Sequence, residues 1–127
     1  MMNVALVPMN SEKLEAAVAT GGMVVAYFWT DWWETCAEAT PLIEEIAKRF
    51  DKEIIAASVD VDAEGFLALQ QNVVSLPMVI IYQDGGELDR IVGLQPLDLY
   101  DHLIRIRVFP QEPNPYEQIN SMGYLMD

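Results

Sequence analysis

One seven-residue run, Met23–Trp29, is apolar at every position, and it constrains the fold more than any other segment. Alternating polar and apolar residues are typical of a strand with one face in water, whereas an unbroken apolar run indicates burial on both faces. Strands of that kind belong to parallel sheets with helices on each side. The run is also far shorter than the ~20 residues of a membrane-spanning helix. We therefore expect this strand at the centre of a layered α/β domain.

The segments around this strand alternate between helix and strand patterns. Apolar spacing predicts helices over about 11–20, 35–50, 63–71 and 97–108, and further strands over about 4–7, 54–61, 78–82 and 87–92. Asp84-Gly85-Gly86 predicts a tight turn, since glycine adopts positive φ at little cost. Strands joined through helices are parallel, whereas a short turn joins antiparallel strands. The expected fold class is α/β, with a mixed sheet of about five strands (central parallel strands plus a C-terminal antiparallel hairpin) and about four flanking helices.

Two local motifs, in this order of elements, resemble those of the thioredoxin family. The segment from Phe28 to Cys36, F-W-T-D-W-W-E-T-C, resembles the family's F-W-A-x-W-C-G-P-C active-site segment. Pro41 matches the proline inside the family's active-site helix, and Leu76-Pro77 matches the segment that carries its cis-proline. The resemblance implies the thioredoxin fold.

The resemblance covers about residues 2–108 of the chain. We therefore expect a thioredoxin-like domain at residues 1–108 and a C-terminal extension at residues 109–127. Prolines at 110, 113 and 115 interrupt regular structure at the start of this extension. The rest of the extension is either disordered or packed onto the domain.

The motif departs from the family pattern at its first cysteine. The resemblance implies that this cysteine attacks a substrate disulfide from a helix N-terminus, where the helix dipole stabilises a thiolate. Trp33 occupies that position, and an indole has no proton to lose at neutral pH. The family's resolving cysteine corresponds to Cys36, the single cysteine of the chain. A degenerate W-E-T-C therefore indicates that dithiol–disulfide exchange is lost.

Further departures indicate the same loss. The family's buried aspartate, which resembles a proton relay, aligns with Tyr27, and the lysine paired with it aligns with Ser58. Glu34-Thr35 replaces the usual Gly-Pro between the two cysteine positions. The resemblance therefore implies a site without its relay groups.

Cys36 remains a candidate catalytic residue for single-cysteine chemistry only. We expect burial and three neighbouring carboxylates, Asp31, Glu34 and Glu38, to raise the pKa of its thiol. A buried and unreactive thiol is the simplest interpretation, because free cysteine is among the most buried residue types. A mixed disulfide with a partner and a covalent dimer are the alternatives.

We expect no metal or cofactor. One cysteine excludes an intramolecular disulfide and a cysteine-based metal cage. Asp60, Asp62, Glu64 and Gly65 resemble the start of a calcium loop, but Gln71 stands where a bidentate glutamate is needed. These carboxylates are predicted to be a solvated strand end.

The resemblance implies that one surface carries a cluster of mostly apolar residues: Trp32, Trp33, Val61, Leu76, Pro77 and Leu94. The binding residues expected on this surface, which we call the candidate face, are Trp32, Trp33, Glu34, Thr35, Leu76, Pro77, Gly93 and Leu94. In the family a cis peptide bond at this proline leaves the preceding backbone free to pair with an extended peptide. An ordinary turn proline is the alternative. Exposed apolar patches often mark interaction sites, unless the indoles fold inward or the extension covers them. We expect a redox-inactive protein-binding or scaffold module, with a protein partner or a second copy on this face.

The charge balance limits the class of partner. Twenty acidic and seven basic residues give a net charge of −13, which repels phosphate backbones and anionic lipid. We therefore expect neither nucleic acid nor a membrane as a partner. No basic residue precedes Lys13 and no cleavage-like pattern is present, so we expect no signal peptide and a cytoplasmic location.

Overall fold

The computed structural model describes residues 5–110 of the 127-residue chain. Their elements are β1 (Leu6–Pro8), α1 (Ser11–Ala19), β2 (Met23–Trp29), α2 (Glu34–Arg49), β3 (Ile54–Asp60), α3 (Gly65–Gln70), β4 (Met78–Gln83), β5 (Gly86–Val92) and α4 (Leu97–Val108). This order of strands and helices is the predicted one. The predicted extension at 109–127 lies outside the described residues except for its first two positions.

The five strands form one mixed sheet in the order β1-β3-β2-β4-β5. The first three strands in that order are parallel, whereas β4 runs antiparallel to β2 and pairs with β5 as a hairpin. The thioredoxin fold with a mixed five-stranded sheet and four helices is therefore confirmed. No helix within residues 5–110 is both long and apolar enough to cross a bilayer.

Burial on both faces of the sheet explains why the sequence of the central strand β2 is apolar throughout. Alternate side chains along a strand point to opposite faces of the sheet. Val25 and Tyr27 enter the core beneath α2 and α4, whereas Val24, Ala26 and Phe28 enter the core beneath α1 and α3. Helices cover both faces, so every residue of this strand is buried except Trp29, which is half-buried.

The sheet register brings three loops to one edge. Trp29 is the register partner of Asp60, so the parallel strands β2 and β3 end side by side. The amide of Val61 donates to the carbonyl of Trp29 (2.9 Å) and continues this pairing into the next turn. Because β4 is antiparallel, its first residue, Met78, lies opposite Phe28 at the same edge. The segment before β4 therefore meets the turns that follow β2 and β3.

Removing a methyl group tests the packing of the sheet. Ile80 is fully buried in β4, so Ile80→Val leaves a small cavity and should lower the free energy of unfolding by about 1 kcal/mol. Val74 is 89% exposed, and Val74→Ala should cost less than about 0.5 kcal/mol. Urea denaturation measures both values. Equal losses in the two variants would contradict the burial of Ile80 in the sheet.

Candidate functional site

Trp33 is the residue that begins the site, at the N-cap position of α2. Its backbone is extended (φ −105°, ψ 118°), and its carbonyl accepts the amide of Cys36 (3.0 Å). The Trp33 side chain is 47% exposed and that of Trp32 is 66% exposed. The two indole rings meet edge to face, with 5.9 Å between their centroids. Both indoles thus lie on the surface of the described structure rather than folding into its core.

Asp62 fixes one end of this aromatic pair. Its Oδ2 accepts the indole N–H of Trp32 (2.8 Å) and the hydroxyl of buried Thr30 (2.7 Å). These two hydrogen bonds tie the turn after β2 to the turn after β3. From the sequence, Asp62 was predicted only to be a solvated carboxylate at the end of a strand. Asp62 follows β3, which is parallel to β2, so the sequence could have indicated that it lies near the turn after β2.

Cys36 lies in the first turn of α2, and only 1% of it is exposed. Burial raises the pKa of its thiol, and a hydrogen bond with the backbone of Thr30 offsets part of that rise. We expected Asp31, Glu34 and Glu38 to contribute as well, and that expectation was wrong. Their side chains are exposed to solvent, where water screens their charges.

Tyr27 occupies the space behind the thiol. Its hydroxyl lies 3.0 Å from the carbonyl oxygen of Cys36 and 2.8 Å from the hydroxyl of Thr40, which itself donates to that carbonyl (2.9 Å). Burial raises the pKa of Tyr27 to about 12, so its hydroxyl stays protonated at neutral pH. A protonated phenol that supports a helix carbonyl cannot take up a proton as a carboxylate would.

Ser58 is the register partner of Tyr27 on the neighbouring strand. Its Oγ accepts the indole N–H of Trp29 (2.8 Å). The two positions that resemble the relay pair of the family therefore carry hydroxyl groups engaged in local hydrogen bonds. Neither hydroxyl ionises at neutral pH.

The segment before β4 supplies the other side of the site. The peptide bond between Leu76 and Pro77 is cis. Pro77 is buried, and its carbonyl accepts the amide of Gly93 (2.8 Å). Gly93 adopts a left-handed conformation (φ 76°), which favours glycine and redirects the chain from β5 towards Leu94. Leu76 is half-buried, and its backbone N–H and C=O form no hydrogen bond within the described part of the chain.

The structure divides the predicted site residues by accessibility. Cys36 and Pro77 are buried, so neither offers a surface to a partner. Trp32, Trp33 and Glu34 are exposed. The remaining residues of the candidate face are half-buried: Thr35, Leu76, Gly93 and Leu94. The accessible part of the site is therefore apolar surface and backbone, with the thiol behind it.

Two features of the site were not predicted from the sequence. The hydroxyl of Thr35 is buried and has no hydrogen-bond partner among residues 5–110. Val92, at the end of β5 next to Gly93, is exposed and adds apolar surface near the candidate face. Within the same residues, no group of three or more histidine, cysteine, aspartate or glutamate side chains is arranged to hold a metal ion.

Comparison with known proteins gives consistent similarities. The family model described as Thioredoxin matches residues 5–105. Thioredoxins of Staphylococcus epidermidis and Staphylococcus aureus are each 30% identical over 92 residues, which are 72% of this chain and 88% of theirs. The structure of a mutant thioredoxin from Halobacterium salinarum superimposes with a TM-score of 0.74, at 25% identity, over 91% of this chain and 99% of that one. Thioredoxin from Trypanosoma brucei brucei gives a TM-score of 0.75 at 23% identity, over 81% and 90% of the respective chains.

The dependence of stability on pH tests the burial of Cys36. A thiol with a raised pKa keeps its proton in the folded state, whereas the unfolded thiol loses it near the ordinary value of 9.0. Its contribution to stability is therefore complete below that pH and is lost as the pH rises from there through the folded pKa. Urea denaturation from about pH 7 to about pH 10.5 should show a steeper loss of unfolding free energy in the native protein than in Cys36→Ala.

The Cys36→Ala variant controls for other groups that titrate in this range. Tyr82, whose ordinary pKa is 10.0 and whose shift does not depend on Cys36, contributes equally to both proteins and cancels in the comparison. Tyr27 does not cancel fully, because the charge of Cys36 is one of the causes that raise its pKa, so the difference between the profiles reports the thiol together with this coupling. Parallel pH profiles would show that the thiol is not held in its protonated form by the fold.

Proposed function

The chain belongs to the thioredoxin family, and from that premise we propose that it is a protein-binding module that does not catalyse dithiol–disulfide exchange. The observation that carries this proposal is the pair formed by Trp33 and Cys36. The half-exposed indole of Trp33 lies at the N-terminus of α2, and the single thiol, Cys36, is buried in the first turn of that helix. A cytoplasmic location, expected from the sequence, is part of the proposal.

Exchange chemistry has two requirements that this site does not meet. The attacking sulfur must be a thiolate, and it must reach the substrate disulfide in line. Burial of Cys36 disfavours its thiolate and also blocks its access to a disulfide. The hydroxyl of Tyr27 is too weak an acid to exchange protons with the thiol near neutral pH. These contacts therefore favour a protein that binds a partner without catalysis, rather than one that reacts through its single cysteine.

Protein binding is supported by two kinds of contact that the site leaves open. Tryptophan is enriched among the residues that dominate binding energy, and two indoles are exposed side by side. Among the described residues, the backbone N–H and C=O of Leu76 have no hydrogen-bond partner. In an antiparallel strand pair, one residue exchanges both bonds with the residue opposite it. Leu76 can therefore anchor one residue of an extended partner while the indoles contact its side chains.

A reductase assay tests the absence of exchange chemistry. We expect the native protein to accelerate the reduction of insulin by dithiothreitol no more than a Cys36→Ser variant does, because the thiol is buried and protonated. Turbidity of the released insulin chains measures the rate. Clear acceleration above the variant would favour the single-cysteine alternative, as would a covalent adduct or dimer through Cys36 of the native protein at neutral pH.

A comparison of captured partners tests the binding face. Trp33→Ala removes exposed apolar area at the centre of the site and should weaken binding about tenfold or more, in line with the cost of truncating an interface tryptophan. Phe66→Ala is the matched control, because Phe66 is an aromatic residue on α3 that is even more exposed (72%) than Trp33 (47%) and lies outside the candidate face. Quantitative mass spectrometry of pull-downs with the three proteins measures the loss. Equal capture by native protein and Trp33→Ala would contradict the proposal.

A further inference from the structure

We infer that the partner of this face is an extended protein segment rich in lysine and arginine. The inference rests on the proposed function, because the indoles and the free backbone of Leu76 define where a segment would lie. The charges around them decide which segment fits. Electrostatic complementarity mainly sets specificity and association rate, whereas buried apolar area supplies affinity.

Carboxylates lie on the two adjoining turns that are joined at the exposed indoles. They come from the turn after β2 with the start of α2, and from the turn after β3: Asp31, Glu34, Glu38, Asp60, Asp62 and Glu64. The hydrogen bond from Trp32 to Asp62 (2.8 Å) joins the two turns directly. The six acidic residues therefore share one edge of the sheet with the aromatic pair, and we call this set of residues the acidic edge.

The two acidic turns contain no lysine or arginine. The seven lysine and arginine residues of the chain are Lys13, Lys48, Arg49, Lys52, Arg90, Arg105 and Arg107. Lys13 lines a groove together with Asp60 and Glu64. No ion pair within residues 5–110 reaches any of the six carboxylates. The acidic edge therefore lacks paired counter-charges within the described structure.

The same charges disfavour two other occupants. A second copy would bring an identical acidic edge and a net charge of −13 towards this one. Residues 111–127 contain three acidic residues and no lysine or arginine, so they lack the complementary charge as well. A basic segment, unlike a second copy or residues 111–127, brings charge that is complementary to the acidic edge.

The chemistry of lysine and arginine suits both components of the surface. Their long aliphatic stems can cover the indoles while their cationic heads stay in water near the carboxylates. A guanidinium or ammonium group also gains energy over the face of a tryptophan ring. Side chains alternate along an extended segment. A segment anchored at Leu76 can therefore direct alternate basic residues towards the indoles of Trp32 and Trp33 and the carboxylate of Asp62.

Binding of matched peptides tests this inference. Three labelled extended peptides share their apolar residues and carry lysine, glutamine or glutamate at alternate positions. Fluorescence anisotropy should show that the lysine peptide binds at least about tenfold more tightly than the glutamine peptide, and that the glutamate peptide binds most weakly. Raising the salt from about 50 mM to about 300 mM should reduce most of the difference, because exposed charges are screened.

Charge-neutralising variants locate the effect. The triple variant Asp31→Asn/Glu34→Gln/Glu38→Gln should weaken binding of the lysine peptide about tenfold, since each exposed charge pair contributes modestly. The matched control is Asp51→Asn/Glu53→Gln/Asp84→Asn, which changes net charge equally in exposed turns at the opposite edge of the sheet. The control should bind within about twofold of the native protein.

The outcomes separate this inference from the proposed function. Equal weakening by both triple variants would show that only net charge acts, and would overturn the assignment to the acidic edge. Equal affinity for all three peptides, lost in Trp33→Ala, would overturn the preference for basic segments while supporting the binding face. Absence of binding by every peptide would contradict both the inference and the proposed function.

Discussion

Parallel pairing of β2 with β3, in the register that places Trp29 beside Asp60, is the constraint on which the rest of the site depends. A shift of one residue would turn Val25 and Tyr27 to the other face of the sheet, so burial on both faces holds the register strongly. The register in turn brings the turns after both strands together. Asp62 can therefore reach Trp32, and the aromatic pair gains a fixed position that neither turn would give it alone.

The packing that stabilises the sheet also raises the pKa of the Cys36 thiol. Ala39 and Ile43 follow Cys36 on the buried side of α2, so the helix that packs against β2 carries the sulfur inward with it. Taking a thiol out of water favours its neutral form. Tyr27 completes this environment, because its hydroxyl supports the helix carbonyl of Cys36 and no ionised group lies in its place. The stability of the sheet and the raised pKa of the thiol thus have the same physical origin, the burial of this face of α2.

Much of this architecture could be predicted because it depends on local patterns. The apolar run of β2 predicted a buried strand, and the replacement of a cysteine by Trp33 predicted the loss of the nucleophile. Contacts between distant segments could not be predicted in the same way. The bond from Trp32 to Asp62 depends on the register of two strands, and the burial of Pro77 depends on the neighbouring hairpin. Sequence proximity also overstated the effect of Asp31 on the thiol, because proximity along the chain does not reveal exposure to solvent.

The two components of the accessible surface have different physical roles. A buried tryptophan removes about 150–250 Å² from water, so the exposed 47% of Trp33 corresponds to about 2–3 kcal/mol at about 25 cal/mol per Å². That contribution is indifferent to the charge of the partner. The carboxylates add little affinity in water, but they penalise an acidic partner and accelerate the approach of a basic one. In the proposed function, an indole at the position of the family's nucleophile supplies affinity in place of reactivity, and the acidic edge supplies the selectivity that an apolar surface lacks.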